Sequence, residues 1–575
     1  MADPRCIVTA PLPVTRGLGF GELATVVAGD ALVRRAWAVG RAAELVVPTL
    51  TGDLSSHYAF DKELAREGQD RTSVKPDELA ARAAAFEEER RVVAAEQFAR
   101  LSVTADLGMV TTDTAAVTAA AQTAFVRLHE EGLVEEADRV VATCPRCRTA
   151  VDAADAERGE LDGEVLTLRL RTSSGADLDV VVREPELLPG AVAVGVPEGS
   201  PVTGATVIVP IADREVPILV YALRPAASVV VPGHDGDDHA LALAHGLRSV
   251  PVLDADGAVV GEGPLHGLGR YAARAAAKAL LEAEGVLLAA DPAVDDVWRC
   301  RCCGSVLVSQ LGRHWFLRAA AIEIAAADAV RNGLVAFSPP EARDAFLAGA
   351  GARRDWCISS RVPGGTPLPA ATCLECGKLA VDLTPSSSCG KCMGTMVAEP
   401  LALDARFIAA VWPLVLGGWP GRRPTGYPPE ETVAVVSAAD LVGWVLPAVA
   451  LALRLVGVAP FGGAVVHPWP QVDPAPDDRP FVEDTGWDAR VLRLALVAGT
   501  PELDVAAAAV DALDRPYAED IDPAEAAEAA AAGVAALDEC SPAQAAALLA
   551  SALSAGVPAD AADRLRALAL PILGD

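Results

Sequence analysis

The chain has 575 residues, 52% of them hydrophobic and 22% charged. At roughly 150 residues per domain, this length predicts about four domains, and the composition excludes a disordered or fibrous protein. Forty-eight basic residues face seventy-eight acidic ones, a net charge of −30, which argues against broad electrostatic binding to nucleic acid because phosphate contacts need clustered Lys and Arg. Lysine occurs five times, as Lys62, Lys75, Lys278, Lys378 and Lys391, and no histidine precedes His57.

In chain order, the first 50 residues predict a strand over Cys6–Ala10, a glycine-containing turn over Gly17–Gly21, a helix over about Glu22–Val39 and a strand ending at Pro48. This strand–helix–strand start is how a doubly wound nucleotide-binding domain begins. Helices are predicted from about Pro76 to Glu136. After Cys144 the pattern turns β-rich, with strands over Glu164–Arg171, Asp177–Arg183, Ala191–Val196, Ala205–Pro210, Val216–Ala222 and Ser228–Pro232. A hairpin over Val250–Val260 turns at Asp256-Gly257, and a helix over about Gly267–Glu284 closes the section. Parallel-sheet logic resumes with strand Thr432–Ser437, helix Asp440–Val456 and strand Ala464–His467. The result reads as an α/β fold interrupted by a β-rich insertion.

The tail from Pro501 to Asp575 reads as Ala-rich and helical, with fourteen acidic residues against three arginines. The start, Met1–Arg5, lacks the apolar core of a signal peptide. The apolar run Leu441–Leu453 contains Pro447 and stops at Arg454, too short to span a bilayer. A soluble cytoplasmic protein without membrane or DNA partners is expected.

Cysteines carry the strongest positive signal. Eight of the twelve form four C-x2-C pairs: Cys144/Cys147, Cys300/Cys303, Cys373/Cys376 and Cys389/Cys392. A C-x2-C turn can aim two thiolates at one ion, and two pairs complete a closed tetrahedral site. The last two pairs have zinc-ribbon spacing. The first two flank the β-rich insertion, where a zinc would clamp its incoming and outgoing strands, and Cys302 is an alternative to Cys303. Both sites are expected to be structural, since four ligands leave no open position. Cys6, Cys357 and Cys540 read as buried or incidental.

Several ordered stretches resemble class I aminoacyl-tRNA synthetases of the valyl type. They are Pro11-Leu12-Pro13-Val14-Thr15, Leu64–Gly68, Phe125–Leu133 with Cys144-Pro145-Arg146-Cys147, Trp356–Arg361, and Val411-Trp412-Pro413-Leu414 with Gly418-Trp419-Pro420. The resemblance implies a Rossmann-like nucleotide-binding domain split by an editing-like β-barrel insertion. It predicts the first half over 1–143, zinc knuckle and insertion over 144–304, the second half over 305–500 with a zinc ribbon at 373–392, and a truncated acidic helical tail over 501–575. Family members make an aminoacyl-adenylate and transfer the amino acid to tRNA, and their insertion hydrolyses mischarged tRNA.

The signature motifs depart from that pattern. The H-I-G-H box falls on Gly19-Phe20-Gly21-Glu22, with both histidines gone and an acid where phosphates would sit. The K-M-S-K-S loop falls between His467 and Arg490, an interval without lysine. The G-x-D segment reads Ala438-Ala439-Asp440, so Gly19, Gly21 and Asp440 mark a degenerate ATP site; as plain structure, Gly21 is a strand-to-helix turn and Asp440 a helix cap. The P-G-T-D-H stretch reads Pro48-Thr49-Leu50-Thr51-Gly52, without its Asp. In the insertion, Pro232–Asp238 resembles the editing motif, with Asp238 at its ammonium-binding aspartate beside His234 and Asp235. The threonine-rich editing strand, however, reads Val181-Val182-Arg183-Glu184-Pro185-Glu186. The plain structural reading of the three editing-like residues is a helix N-terminal turn.

The expected protein is therefore a valyl-type paralog that has lost ATP-dependent aminoacylation and acts in binding or regulation. It holds two structural zinc ions and no ATP, and its candidate partners are tRNA or an aminoacyl ester, bound weakly, and a protein. The alternatives are an editing deacylase working through the insertion and a diverged ATP-dependent ligase.

Overall fold

Short β-branched runs flanked by helices build the first of two compact units. The computed structural model describes residues 6–14, 17–71, 73–105, 112, 114–352, 355–421 and 429–467, with Arg493 and Leu496. Thr15, the lysine-free stretch after His467 and the tail 501–575 lie outside them. The first unit comprises 1–134, 317–358 and 362–575; the second comprises 135–316 with 359–361.

Five parallel strands form the sheet of the first unit, in the order Ala336–Ser338, Gly463–His467, Thr432–Ser437, Cys6–Thr9, Glu44–Val46. Cys6–Thr9 and Thr432–Ser437 are buried throughout, as expected of strands covered on both faces. The helix Phe20–Ala38 carries the chain from Cys6–Thr9 to its neighbour Glu44–Val46 at the sheet edge. Gly29 lets it approach closely, since a Cβ there would lie 2.8 Å from Leu45. Connections run to opposite sides of Cys6–Thr9 and Thr432–Ser437, so the strand order reverses between them. The C-terminal ends of these two strands thus flank the crevice where open α/β sheets bind ligands.

The predicted helix after Thr432–Ser437 forms, starting at Ala438 with a π-helical segment over Leu441–Val445 and running to Val456. It reaches one turn further at its N-terminus than the apolar run suggests. By length and composition it could cross a bilayer, but here it packs against helices Ala319–Arg331 and Ala405–Leu416 of its own unit. A separate three-stranded sheet, Leu379–Val381, Ala370–Cys373 and Met396–Ala398, carries the ribbon cysteines.

The second unit is a seven-stranded sheet in the order Thr206–Val209, Arg214–Val220, Ala193–Val196, Ser228–Val230, Asp177–Val182, Ala156–Arg171, Leu287–Cys300. Leu166, Leu168, Val180, Val194 and Ile218 form its core with Ala273, Ala277 and Leu281 of the helix Arg270–Ala283. The expected helical region stops earlier than Glu136: Gly132 takes a left-handed φ of 70° and the strand Val134–Cys144 begins. The expected hairpin over Val250–Val260 forms as a short one: an antiparallel bridge joins Leu253 to Val259, the Asp254 N–H donates to the Ala258 carbonyl at 2.9 Å and the Val260 N–H to the Val252 carbonyl at 2.7 Å, with Gly257 left-handed at the turn. Asp254 Oδ1 accepts from the Asp256 and Ala258 N–H groups, an Asx turn that fastens the tip.

Candidate functional site

The four C-x2-C pairs share one backbone solution. In each, the residue after the second cysteine is left-handed: Arg148 at φ 57°, Gly304 at 70°, Gly377 at 64° and Met393 at 60°. Its N–H donates to the carbonyl of the first cysteine, at 2.8 Å (Arg148 to Cys144), 2.8 Å (Gly304 to Cys300), 3.0 Å (Gly377 to Cys373) and 2.9 Å (Met393 to Cys389). This turn aims both thiols of a pair the same way. Cys144, Cys147, Cys300 and Cys303 come together in the second unit, and Cys373, Cys376, Cys389 and Cys392 in the first, with the sulfurs of each group within 4.8 Å of one another.

Sγ–Sγ distances are 3.4 Å for Cys144–Cys303, 3.5 Å for Cys373–Cys392 and 3.7 Å for Cys376–Cys389. A tetrahedral zinc with Zn–S bonds near 2.3 Å needs sulfurs about 3.8 Å apart, so both groups fit zinc. Backbone N–H groups also point at sulfur, from Cys147 to Cys144 Sγ at 3.3 Å and from Lys391 to Cys389 Sγ at 3.4 Å. The Lys391 and Cys392 N–H groups hold the Cys389 thiol down at about 6, which favours the thiolate that a metal binds.

At the C-terminal edge of the parallel sheet, Gly19 is the N-cap of the helix Phe20–Ala38 without a side-chain cap bond. The Glu22 carboxylate folds back over this end: its Oε2 lies 2.8 Å from the position a Cβ on Gly19 would take. The Gly21 carbonyl accepts from the Thr25 hydroxyl at 3.0 Å, and Thr25 Oγ1 lies 2.6 Å from His467 Nε2. Since the hydroxyl proton goes to Gly21, His467 donates through Nε2–H, and Nδ1 is a buried acceptor without a partner. Burial drives His467 down to about 4, keeping the ring neutral. Asp440 forms a capping box with Ser437, whose hydroxyl donates to Asp440 Oδ2 at 2.7 Å. Burial pushes the Asp440 carboxyl up, against the pull of Ser437 and Arg406.

His234, Asp235 and Asp238 come together at the N-terminus of the helix Gly236–Ala244. His234 Nδ1 lies 2.8 Å from the Ser309 carbonyl, and Nε2 accepts from the Val252 N–H at 2.9 Å. Both ring nitrogens are committed, and burial lowers the ring to about 4. Asp235 Oδ1 caps the helix by accepting from the Asp237 and Asp238 N–H groups. Asp238 is buried, with Oδ2 accepting from the Val231 N–H at 2.7 Å, and burial pushes its carboxyl up. Nearby, Glu186 is fully buried and held by Arg270 and by a two-pronged contact from Arg274 at 2.7 and 2.9 Å. In this unit the charged side chains pair with one another.

Sequence reading missed Arg224, which faces Asp235 and Asp238, together with the arginines on Glu186 and the Thr25–His467 bond. The last spans 442 positions, and neither Arg270 nor Arg274 carries a local signature. Glu22, by contrast, was legible as an acid at the position where phosphates would sit, in the first turn of the helix.

The tRNA synthetases class I (I, L, M and V) match residues 2–469, and the chain belongs to this family. Among its relatives are the valine–tRNA ligase of Desulfotalea psychrophila, 27% identical over 482 residues (81% of this chain, 54% of that one), and that of Carboxydothermus hydrogenoformans, 28% identical over 481 residues (81% and 55%). The chain thus spans about half the length of the curated relatives it matches. Among solved structures, the Agrobacterium radiobacter K84 LeuRS in its ternary complex with tRNA and LeuAMS aligns with a TM-score of 0.47 at 14% identity, over 99% of this chain and 84% of that one.

Proposed function

We propose that this valyl-type synthetase relative has lost ATP-dependent aminoacylation and acts by binding or regulation, on a scaffold held by two structural zinc ions. The observation that carries this reading is the Glu22 carboxylate lying over Gly19 at the N-terminus of the helix Phe20–Ala38. A helix N-terminus at this crevice favours a phosphate; here a resident anion takes that place and repels one. Asp440 is tied to Ser437, and the interval from His467 to Arg490 has no lysine to offset phosphate charge. Adenylyl transfer relies on preorganised positive charge, which neither Glu22 nor Asp440 supplies.

The zinc ions would be held by Cys144, Cys147, Cys300 and Cys303, and by Cys373, Cys376, Cys389 and Cys392. The net charge of −30 supports weak tRNA binding and no DNA partner, and a soluble cytoplasmic protein without a membrane partner completes the reading. A deacylase reading rests on Asp238, a buried carboxylate in the first turn of the helix Gly236–Ala244 of the β-rich unit; the two committed nitrogens of His234 weigh against it. ATP–pyrophosphate exchange with valine, run on full-length protein whose zinc content is measured on the same sample, tests the reading. No exchange above background and about two zinc ions per chain are expected. Robust exchange overturns the loss of aminoacylation, and a metal-free, fully folded sample overturns the zinc assignment.

A further inference from the structure

The β-rich unit places five cysteines where a closed tetrahedral site uses four. Cys144, Cys147, Cys300 and Cys303 converge, and Cys302 stands between the last two on the same knuckle. The turn closing this knuckle, from the Gly304 N–H to the Cys300 carbonyl at 2.8 Å, folds Cys302 against the group. Arg301 fastens the same turn from outside: its N–H donates to the Asp155 carbonyl at 2.9 Å and its Nε–H to the Ala156 carbonyl at 3.1 Å. The Cys302 thiol thereby comes within hydrogen-bonding reach of the thiols of Cys147 and Cys300.

Exposure separates these sulfurs. Cys144, Cys147 and Cys300 are fully buried, whereas Cys302 is partly open to solvent. Cys303 shares that opening, but its sulfur belongs to the ligand group. A small oxidant arriving from solvent therefore meets Cys302 as the sulfur that no metal occupies. A fifth thiol adds nothing to a closed site, yet it supplies what an oxidised cysteine needs to go on reacting, a second sulfur within reach. The zinc ribbon lacks this arrangement, since its four ligands are the only cysteines from 358 to 539.

We propose that Cys302 is an oxidative modification site: a peroxide oxidises it, Cys147 or Cys300 resolves it as a disulfide, and the metal site opens. In the first step the Cys302 sulfur gives two electrons to the peroxide O–O bond, leaving a sulfenic acid and one water. The neighbouring ligand thiolate then attacks that sulfur. An S–S bond forms, the S–O bond breaks, and the departing hydroxide takes a proton from solvent to become a second water. One ligand of the four is consumed, and the remaining three no longer close a tetrahedron. Reduction by an external dithiol returns both sulfurs. The proposal rests on the zinc assignment but not on the reading of the nucleotide crevice, no residue of which takes part.

The test treats the full-length protein and Cys302→Ala with hydrogen peroxide, after zinc per chain has been measured on both. Zinc release is followed with a chromogenic chelator, and disulfides are mapped by mass spectrometry after free thiols are alkylated. The unchanged protein should release zinc from the knuckle, keep that of the ribbon, and show Cys302 joined to Cys147 or Cys300. Cys302→Ala should release knuckle zinc at least about tenfold more slowly. Equal release from both proteins, or a map in which Cys302 joins no disulfide, overturns the proposal. Absence of zinc before peroxide instead sinks the zinc assignment, and the disulfide map still decides the role of Cys302. Cys302→Ser, of nearly the same size, takes the place of Cys302→Ala should the latter not fold.

Discussion

Arg148 and Met393 hold left-handed backbone where Gly304 and Gly377 hold it in the other two knuckles. A side chain in that region costs about 1–2 kcal/mol, while glycine gives back roughly 0.5–1 kcal/mol through the entropy of the unfolded chain. Met393 is largely exposed and packs little, so Met393→Gly should stabilise the protein by about 0.5 kcal/mol, read as a higher denaturant midpoint of the zinc-loaded form. The cysteine pairs were legible because their chemistry lies in a four-residue spacing. His234 was legible only as a residue type: its ring partners, Ser309 and Val252, are 75 and 18 positions away, and no local pattern announces them. Arg224 is harder still, because one arginine eleven residues before an acidic turn looks like a solvated surface charge.

The helix Phe20–Ala38 is held by more than its apolar contacts. Asp30, fully buried in its middle, accepts from Arg493 Nη2 at 2.7 Å, from Arg34 Nε at 2.7 Å and from the Thr104 hydroxyl at 2.6 Å. Burial would raise the Asp30 carboxyl, yet Arg493, Thr104 and Arg34 together hold it below its usual range. Arg493 also donates to the Leu101 carbonyl at 2.9 Å. Removing one partner of a buried pair leaves an uncompensated charge, so Arg493→Met should cost about 3–5 kcal/mol. Adding Asp30→Asn should cost less than the sum of the two single changes, a coupling that a double-mutant cycle in denaturant measures. At this scale the sequence is informative where periodicity rules, as in the parallel strands and the helix between them. It is silent on the Asp30–Arg493 pair, whose members are 463 positions apart, and informative at Val250–Val260, where Asp256-Gly257 marks the turn of a short hairpin.

Across the whole molecule, four buried imidazoles are neutral. Burial lowers His57 to about 3 and His234, His314 and His467 to about 4, from an ordinary 6.5. The unfolded chain therefore binds more protons than the folded one between those values and pH 6.5. The stability these rings contribute is complete above pH 6.5 and is lost as pH falls toward 4, or toward 3 for His57, with about 3 kcal/mol at most from each of His234, His314 and His467 and about 5 kcal/mol from His57. Urea midpoints should fall steeply over that interval, and His234→Gln should flatten the part of the slope that belongs to the β-rich unit. An unchanged midpoint down to pH 4.5 would contradict the burial of these rings.

The meeting of Cys144 and Cys147 with Cys300 and Cys303 also bears on how such a chain can be assembled by evolution. A segment whose two ends converge on a single point adds no distance for its host to bridge, so it can lengthen, shrink or change its chemistry while the host keeps its path. The β-rich unit is thus a detour with a fixed gate.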